Sequence, residues 1–152
     1  MGNIDPTARV GKDVELGEGV EIGPWCVLDG KIRLGANARL ISRVNLRGPL
    51  TIGANATIYP EAALGFPAQD FKFKFDSPTP GLIIGDNCTF REGSTVHAAT
   101  HPEIPTSVGD NCYFMVQSHA GHDCHIGNNV TIVNAAVLGG HCEVFDNVTV
   151  NT

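Results

Sequence analysis

The chain has 152 residues, of which 42% are hydrophobic and 17% charged. This composition excludes an intrinsically disordered protein and provides enough apolar sequence for the core of one domain. The net charge is −6, and from Glu92 to Thr152 there are six acidic residues and no Lys or Arg, so we expect no nucleic acid as a partner.

The start of the chain shows no targeting signal. Residues 1–6 have neither a basic segment nor an apolar stretch. No run of about 18 apolar residues occurs in the sequence, so we expect no membrane span. Both observations lead us to expect a cytoplasmic protein.

A six-residue repeat of apolar positions runs through almost the whole chain. It comprises 22 positions: Ile4, Val10, Leu16, Ile22, Leu28, Leu34, Leu40, Leu46, Ile52, Ile58 and Leu64, then Ile84, Phe90 and Val96, then Val108, Phe114, Ala120, Ile126, Ile132, Leu138, Val144 and Val150. Neither a helix, with its period of 3.6, nor an ordinary strand, with its period of two, sustains such a pattern.

A period of six is typical of a hexapeptide β-helix, in which each hexad forms one short strand and three hexads complete a triangular coil. The sequence therefore predicts an all-β fold, a parallel β-helix of about seven coils. We expect residues 1–152 to form a single domain in which the first residue of each hexad faces inward.

The repeat is interrupted twice. The step from Leu64 to Ile84 is 20 residues, so we expect residues 65–83 to leave the prism as a loop. Residues 97–107 break the pattern with two His and two Pro, although the phase is kept. Long loops on a regular scaffold are usually functional, so we expect these two excursions to border a site.

All five cysteines occupy the fifth position of their hexads, where other hexads carry mostly Ala, Val or Ser; they are Cys26, Cys88, Cys112, Cys124 and Cys142. Placement by repeat phase indicates small buried residues, because disulfide and zinc ligands are placed by partner geometry. We therefore expect reduced thiols, which agrees with a cytoplasmic location.

Five of the six histidines lie within residues 97–125, and the sixth is His141. Residues 18 apart stack on consecutive coils, so Gly140 lies over His122, and His141 lies over Asp123. All four occupy third or fourth hexad positions, which belong to a turn. The spacing predicts one compact, outward-facing patch.

This patch suits general base catalysis. Imidazole has an ordinary pKa of about 6.5, and a neighbouring carboxylate can orient it and stabilise its charged form. A glycine lets its backbone N–H approach a developing oxyanion. The alternative is that turn positions merely favour small and polar residues.

A metal site is the competing interpretation of the histidines. His119, His122 and His125 are three residues apart, a spacing that suits a helix and not this fold. His119 and His125 would lie on adjacent prism faces and diverge, so only a subunit interface could complete a tetrahedral set. His97 and His101 are weak candidates in the irregular segment. We expect no metal and no other cofactor.

Four motifs accompany the repeat: Gln69-Asp70-x-Lys72, Arg91-Glu92 followed by His97, His119-x-x-His122-Asp123-Cys124, and Asn134-Ala135-Ala136-x-Leu138-x-Gly140-His141. Together they resemble the UDP-N-acetylglucosamine O-acyltransferase family, which opens lipid A biosynthesis. The resemblance runs over essentially the whole chain.

The resemblance implies a homotrimer of left-handed β-helices with active sites between subunits. It implies transfer of a 3-hydroxyacyl group from acyl carrier protein to the 3-hydroxyl of UDP-N-acetylglucosamine, without metal. His122 would be the general base, Asp123 its orienting partner and Gly140 the donor to the oxyanion. The sugar and thioester site would be lined by Asp70, Lys72, His97, His119 and His141.

The chain departs from the family's pattern in several places, among them Pro102-Glu103-Ile104-Pro105 in place of a Gly-rich turn. The sequence stops at Thr152, so we expect the further coils and the C-terminal helical domain, which hold the family's remaining substrate contacts, to be absent. Ala98-Ala99 stands where the family usually has a basic residue. Two other interpretations stay open: a non-catalytic trimeric β-helix scaffold or fragment, and a zinc hydratase of the carbonic anhydrase type.

Overall fold

A computed structural model describes residues 2–152, which wind as a left-handed parallel β-helix of 22 short strands. Every strand pairs in parallel with the strand three places away in the chain, so the strands form three sheets of eight, seven and seven. None of the described residues belongs to a helix that could cross a membrane.

In chain order the strands are β1 (Asn3–Ile4), β2 (Arg9–Val10), β3 (Val14–Leu16), β4 (Glu21–Ile22), β5 (Val27–Asp29), β6 (Ile32–Leu34), β7 (Arg39–Leu40), β8 (Asn45–Arg47), β9 (Leu50–Ile52), β10 (Thr57–Ile58), β11 (Ala63–Phe66), β12 (Leu82–Ile84), β13 (Thr89–Phe90), β14 (Thr95–His97), β15 (Thr106–Val108), β16 (Tyr113–Phe114), β17 (His119–Ala120), β18 (His125–Ile126), β19 (Thr131–Ile132), β20 (Val137–Leu138), β21 (Glu143–Val144) and β22 (Thr149–Val150). The first sheet begins with β1, the second with β2 and the third with β3.

The six-residue repeat sets this architecture. Each of the 22 strands contains one of the 22 apolar positions predicted from the sequence. Ile22 pairs with Leu40 in the first sheet and Leu28 with Leu46 in the second, so partners lie 18 residues apart. The predicted fold class is therefore confirmed.

The first and fifth hexad positions form the core between the three sheets. Four of the cysteines at fifth positions are buried, Cys142 is half-buried, and none of the five is in a disulfide within residues 2–152. Two aromatic first positions, Phe90 and Phe114, stack on consecutive coils with ring centroids 4.8 Å apart. Small side chains at the fifth positions leave room for the larger ones at the first.

One corner of the prism is regular on every coil. This is the turn from the third sheet to the first, which we call the ladder corner; its tips include Asn55, Asn87 and Asn111. The Asn55 and Asn87 amides each donate to the next asparagine up the column, at 3.0 and 3.2 Å. Asn87 has a left-handed backbone with φ 57°, which Asn tolerates better than most residues.

The turn from the second sheet to the third, which we call the loop corner, carries both excursions. They span residues 67–81 and 98–105, and are shorter than the predicted 65–83 and 97–107 because β11, β12, β14 and β15 extend into the irregular sequence. Phe66 pairs with His97 across a register shift, so part of the irregular sequence still joins the sheet.

Candidate active site

The candidate site lies at the loop corner, where the turns of two consecutive coils stack. The amide of His141 donates to the carbonyl of His122 at 2.9 Å, which fixes the two turns over each other. The rings of His122 and His141 are nearly perpendicular, with centroids 5.0 Å apart. Gly140 lies directly over the His122 ring, since a Cβ there would come within 2.7 Å of Nε2. The stacking inferred from the 18-residue spacing is present.

His122 and Asp123 form a hydrogen-bonded dyad. Nδ1 of His122 lies 2.7 Å from Oδ2 of Asp123, and the side chains are 14% and 5% exposed. A carboxylate at this distance accepts the Nδ1 proton, which leaves Nε2 as the free nitrogen of the neutral ring. Nε2 lies on the side of the ring that faces Gly140. The ring can therefore accept a proton on the side that faces Gly140.

The expectation that Asp123 faces outward is wrong. The second excursion covers its carboxylate, and Thr100 and His101 donate their backbone amides to it at 3.1 and 3.0 Å. The hydroxyl of Thr100 donates to Oδ2 at 2.6 Å. Burial would raise the pKa of Asp123, but the hydrogen bonds from Thr100, His122 and His101 outweigh it and hold the pKa well below its usual range. Asp123 is a buried, ionised carboxylate.

Two further histidines lie near the dyad in the second sheet. The rings of His97 and His119 meet edge to face with centroids 4.9 Å apart, and Nδ1 of His119 lies 2.7 Å from the Thr95 hydroxyl. Burial lowers the pKa of His97 to about 4, with help from the charges that His119 and His122 would carry. Burial, and then His122, lower the pKa of His119 as well. Both rings are neutral at pH 7.

His97 also has a polar atom without a partner. Its Nδ1 is fully buried and makes no hydrogen bond within residues 2–152. Buried polar atoms are nearly always paired in folded proteins, so an unpaired one beside a dyad is a place where a bound molecule can supply the partner.

Asp70 and Lys72 lie apart from the histidines, on the first excursion. Asp70 accepts the amide of Lys72 at 2.8 Å, and its carbonyl accepts the amide of Phe73 at 2.9 Å, so it closes its own turn. Neither residue forms a hydrogen bond or an ion pair with a histidine within the part of the chain that the structure describes. One chain alone does not bring these predicted residues together with the dyad.

The backbone amide of Gly140 has no acceptor within residues 2–152. At the ladder corner the corresponding amides are satisfied by side chains: Asp86 and Asp110 donate theirs to the carboxylate of Asp110 and the amide oxygen of Asn128, both at 2.7 Å. At the loop corner Gly140 offers no such oxygen to the amide of His122. The position that would stack on Gly140, 18 residues further along the chain, lies beyond Thr152, so the Gly140 amide is unpaired within residues 2–152.

His122, Asp123 and His141 also form a compact donor set, with one ligand atom of each within 4.8 Å of the others. The donor set does not suit a metal ion, because four donors from Thr100, His101 and His122 already occupy the Asp123 oxygens. His119 and His125, considered earlier as ligands, lie in the second and third sheets and diverge as the repeat phase predicts. The geometry favours acid–base chemistry.

Thr100 is the polar residue that sequence reasoning missed. It lies in the looped-out second excursion, where the repeat phase assigns no direction to a side chain. The available signal was indirect: a polar residue three positions after His97, in a segment already expected to border a site.

Comparisons with known proteins found similar sequences and similar folds. The family model described as "Bacterial transferase hexapeptide (six repeats)" matches residues 105–140. A protein of Thermodesulfovibrio yellowstonii named acyl-[acyl-carrier-protein]–UDP-N-acetylglucosamine O-acyltransferase is 41% identical over 147 residues, which are 96% of this chain and 56% of that protein. Its namesake in Mesorhizobium japonicum is 44% identical over 123 residues, 80% of this chain and 43% of that protein.

The similarity extends to a solved structure. The UDP-N-acetylglucosamine acyltransferase of Francisella novicida superimposes with a TM-score of 0.89 at 34% identity, covering 97% of this chain and 55% of that one. The predicted resemblance to this acyltransferase family is thus confirmed for the part of those proteins that this chain spans. The chain spans about half the length of the curated relatives it matches.

Proposed function

We propose that this chain carries the acyl-transfer centre of an enzyme that moves a 3-hydroxyacyl group from acyl carrier protein to the 3-hydroxyl of UDP-N-acetylglucosamine. The observation that carries the proposal is the His122–Asp123 dyad, whose free Nε2 lies on the side of the ring that faces Gly140. The names of the relatives support the substrate classes. We include in the proposal that residues 1–152 act as a single β-helix domain.

In the proposed reaction the sugar hydroxyl attacks the thioester carbonyl carbon. Nε2 of His122 takes the hydroxyl proton as the new C–O bond forms, and the amide of Gly140 donates a hydrogen bond to the oxyanion of the tetrahedral intermediate. The intermediate then expels the carrier's thiolate, and His122 returns the proton to that sulfur. An ester and a free thiol result, and the dyad is restored.

Asp123 keeps His122 in the tautomer that this reaction needs. Because the carboxylate accepts the Nδ1 proton, Nε2 is unprotonated at the start of each turnover. The depressed pKa of Asp123 keeps the carboxylate charged, so it stabilises the imidazolium that forms in the transition state.

We assign substrate binding to the remaining residues on the strength of the resemblance. The unpaired Nδ1 of His97 and the neutral ring of His119 offer polar contacts without a competing charge. His141, with its side chain 69% exposed, stands over the dyad, where a substrate would pass. Asp70 and Lys72 project on the first excursion, where they can reach a site completed by another chain. We therefore propose a homotrimer with the centre between subunits.

The proposed reaction uses no cofactor and no metal, since the proton transfer needs only the dyad and the thioester is already activated. We place the enzyme in the cytoplasm, where a reducing environment suits its free cysteines.

Transfer of a 3-hydroxyacyl group from acyl carrier protein to UDP-N-acetylglucosamine tests the proposal. His122→Ala should reduce turnover by at least about 100-fold, the usual contribution of a general base. His125→Ala is the matched control, because His125 is exposed on the third sheet and its ring bonds only to Ser107 among the described residues. It should keep turnover within about twofold of wild type.

Two results would count against the proposal. One is equal loss of turnover in both variants. The other is a folded wild-type trimer, verified by sedimentation, that transfers no acyl group, because this result would favour the scaffold interpretation.

A further inference from the structure

The second excursion is fastened to the prism before it reaches the dyad. The amides of Ala98 and Ala99 donate to the carbonyls of Phe66 and Gly81, at 2.9 and 3.1 Å. The Thr79 hydroxyl donates to the carbonyl of Ala99. Residues 98 and 99 are fully buried, so Thr100 enters the site from a fixed backbone.

We infer that Thr100 is a positioning residue for the general base, an inference that rests on the proposed function. Its hydroxyl donates to Oδ2 of Asp123 at 2.6 Å, and its amide lies 3.1 Å from both carboxylate oxygens. Oδ2 is the same oxygen that accepts the Nδ1 proton of His122 at 2.7 Å. One threonine therefore holds the atom that orients the base.

The Thr100 hydroxyl constrains Oδ2 of Asp123 more directly than the backbone amides of Thr100 and His101 do. The His101 amide bonds to Oδ1 alone, and the Thr100 amide is shared between the two oxygens at 3.1 Å. A carboxylate held only by these two amides has no short bond to Oδ2 from the excursion, so Oδ2 can still tilt away from His122. The short hydroxyl contact to Oδ2 is charge-assisted, so it resists this tilt and keeps Oδ2 aligned with Nδ1.

The opposite side of Asp123 is fixed as well. Its amide donates to the hydroxyl of Thr106 at 2.8 Å, and Thr106 is fully buried at the start of β15. The backbone of Asp123 is thus bonded to Thr106, directly after the excursion, and its carboxylate is bonded to Thr100 and His101 near the start of the excursion. The excursion acts as a clamp on the dyad, and the Thr100 hydroxyl is its contact with the base's partner.

The test compares three variants. Thr100→Val keeps the shape and the backbone amide but removes the hydroxyl donor, while Thr100→Ser keeps the donor. Thr79→Val is the matched control, because it removes a hydroxyl that fastens the same excursion without touching the dyad. A purely structural role for Thr100 would make Thr100→Val and Thr79→Val alike.

We expect Thr100→Val to lower kcat by about 10- to 100-fold with KM changed less than about threefold, since outer partners of catalytic groups contribute on this scale. Thr100→Ser should return kcat to within about threefold of wild type. Thr79→Val should lower kcat by less than about threefold, because the amides of Ala98 and Ala99 still fasten the excursion. Unchanged kcat in Thr100→Val, or an equal loss in Thr79→Val, would overturn the inference.

Nitrogen NMR of the His122 ring provides a readout that needs no turnover. In the wild-type chain the ring should be a single tautomer protonated at Nδ1, and in Thr100→Val it should become a mixture of both tautomers. A single Nδ1-protonated tautomer in Thr100→Val would overturn the inference, whether or not the chain transfers acyl groups. An inactive wild type with the expected ring spectra would count against the proposed function alone.

Discussion

The ladder corner and the loop corner are built on the same backbone plan and use it for different ends. Both place the fourth hexad residue in a left-handed conformation: Asn87 has φ 57° at the ladder corner, and Asp123 has φ 59° at the loop corner. At the ladder corner polar side chains bond to the next coil. At the loop corner they bond to an excursion and leave His122 Nε2 and the Gly140 amide unpaired within the described residues.

The difference shows what separates a structural turn from a reactive one in this fold. A repeat satisfies its own polar groups when each coil offers a carboxylate or amide oxygen to the coil before it. Replacing that oxygen by a glycine, as at position 140, removes the acceptor for the His122 amide on the coil before it. On the two coils of the dyad the turns of the reactive corner differ from the regular ones by a few side chains, whereas on the two coils before them the same corner carries the excursions.

Crowding the ring of His122 should produce the largest difference in catalysis between the loop corner and the ladder corner. Gly140→Ala would put a Cβ 2.7 Å from Nε2 and Cε1 of His122, so the ring must move and its approach to substrate is blocked. We expect kcat/KM to fall by at least about 100-fold, the scale of a lost general base. Gly139→Ala is the control, because a Cβ there meets no atom within 4 Å. Similar kinetics in the two variants would contradict the geometry.

Acid should destabilise the chain through the loop corner. Burial lowers the pKa of His97 from 6.5 to about 4, so between these values the unfolded chain takes up a proton that the folded chain refuses. Stability is therefore lost as pH falls through this window, by about 2 to 3 kcal/mol. Urea unfolding from pH 7 to 4 measures it, and His97→Gln should flatten the slope while His125→Gln should not. Asp123 contributes separately below its ordinary pKa, where the unfolded chain protonates the carboxylate and the folded chain, with its lowered pKa, does not.

A substitution at the ladder corner should lower the free energy of unfolding and leave kcat unchanged. Asn87→Ala removes the hydrogen bonds to Asn55 and Asn111. It also places an alanine in a left-handed backbone conformation with φ 57°, which alanine tolerates less well than asparagine. We expect a loss of about 1 to 2 kcal/mol in the free energy of unfolding, measured by urea, with kcat unchanged. Asn87→Gly relieves the backbone cost and should recover part of that loss. A drop in kcat would show that the two corners are coupled.

The sequence predicts the prism well because the repeat is periodic and the packing is local to each coil. Leu64 and Ile84, on either side of the first excursion, both occupy their expected strands. The stack of Gly140 on His122 follows from the same 18-residue arithmetic. The repeat fixes the backbone position of each residue on its coil, so it locates the dyad.

Periodicity does not report what covers a side chain. Asp123 was expected to face outward because its hexad position belongs to a turn, and it is buried because residues 98–105 fold back over it. Thr100 could not be found by phase, since a looped-out hexad has no neighbour 18 residues away that defines its direction. Three of the four hydrogen bonds that lower the pKa of Asp123, those from Thr100 and His101, come from this aperiodic segment, and the fourth comes from His122.

The loop corner accommodates extra chain on consecutive coils without disturbing its surroundings. Ile84 pairs with Ile52 after 32 residues and Val108 pairs with Ile84 after 24, although the regular step is 18. Strand pairing, and not turn length, therefore sets the register, and a segment can be lengthened or exchanged there at little cost to the rest of the molecule. The prism is a constant scaffold, and new recognition segments can be inserted at its loop corner beside an existing general base.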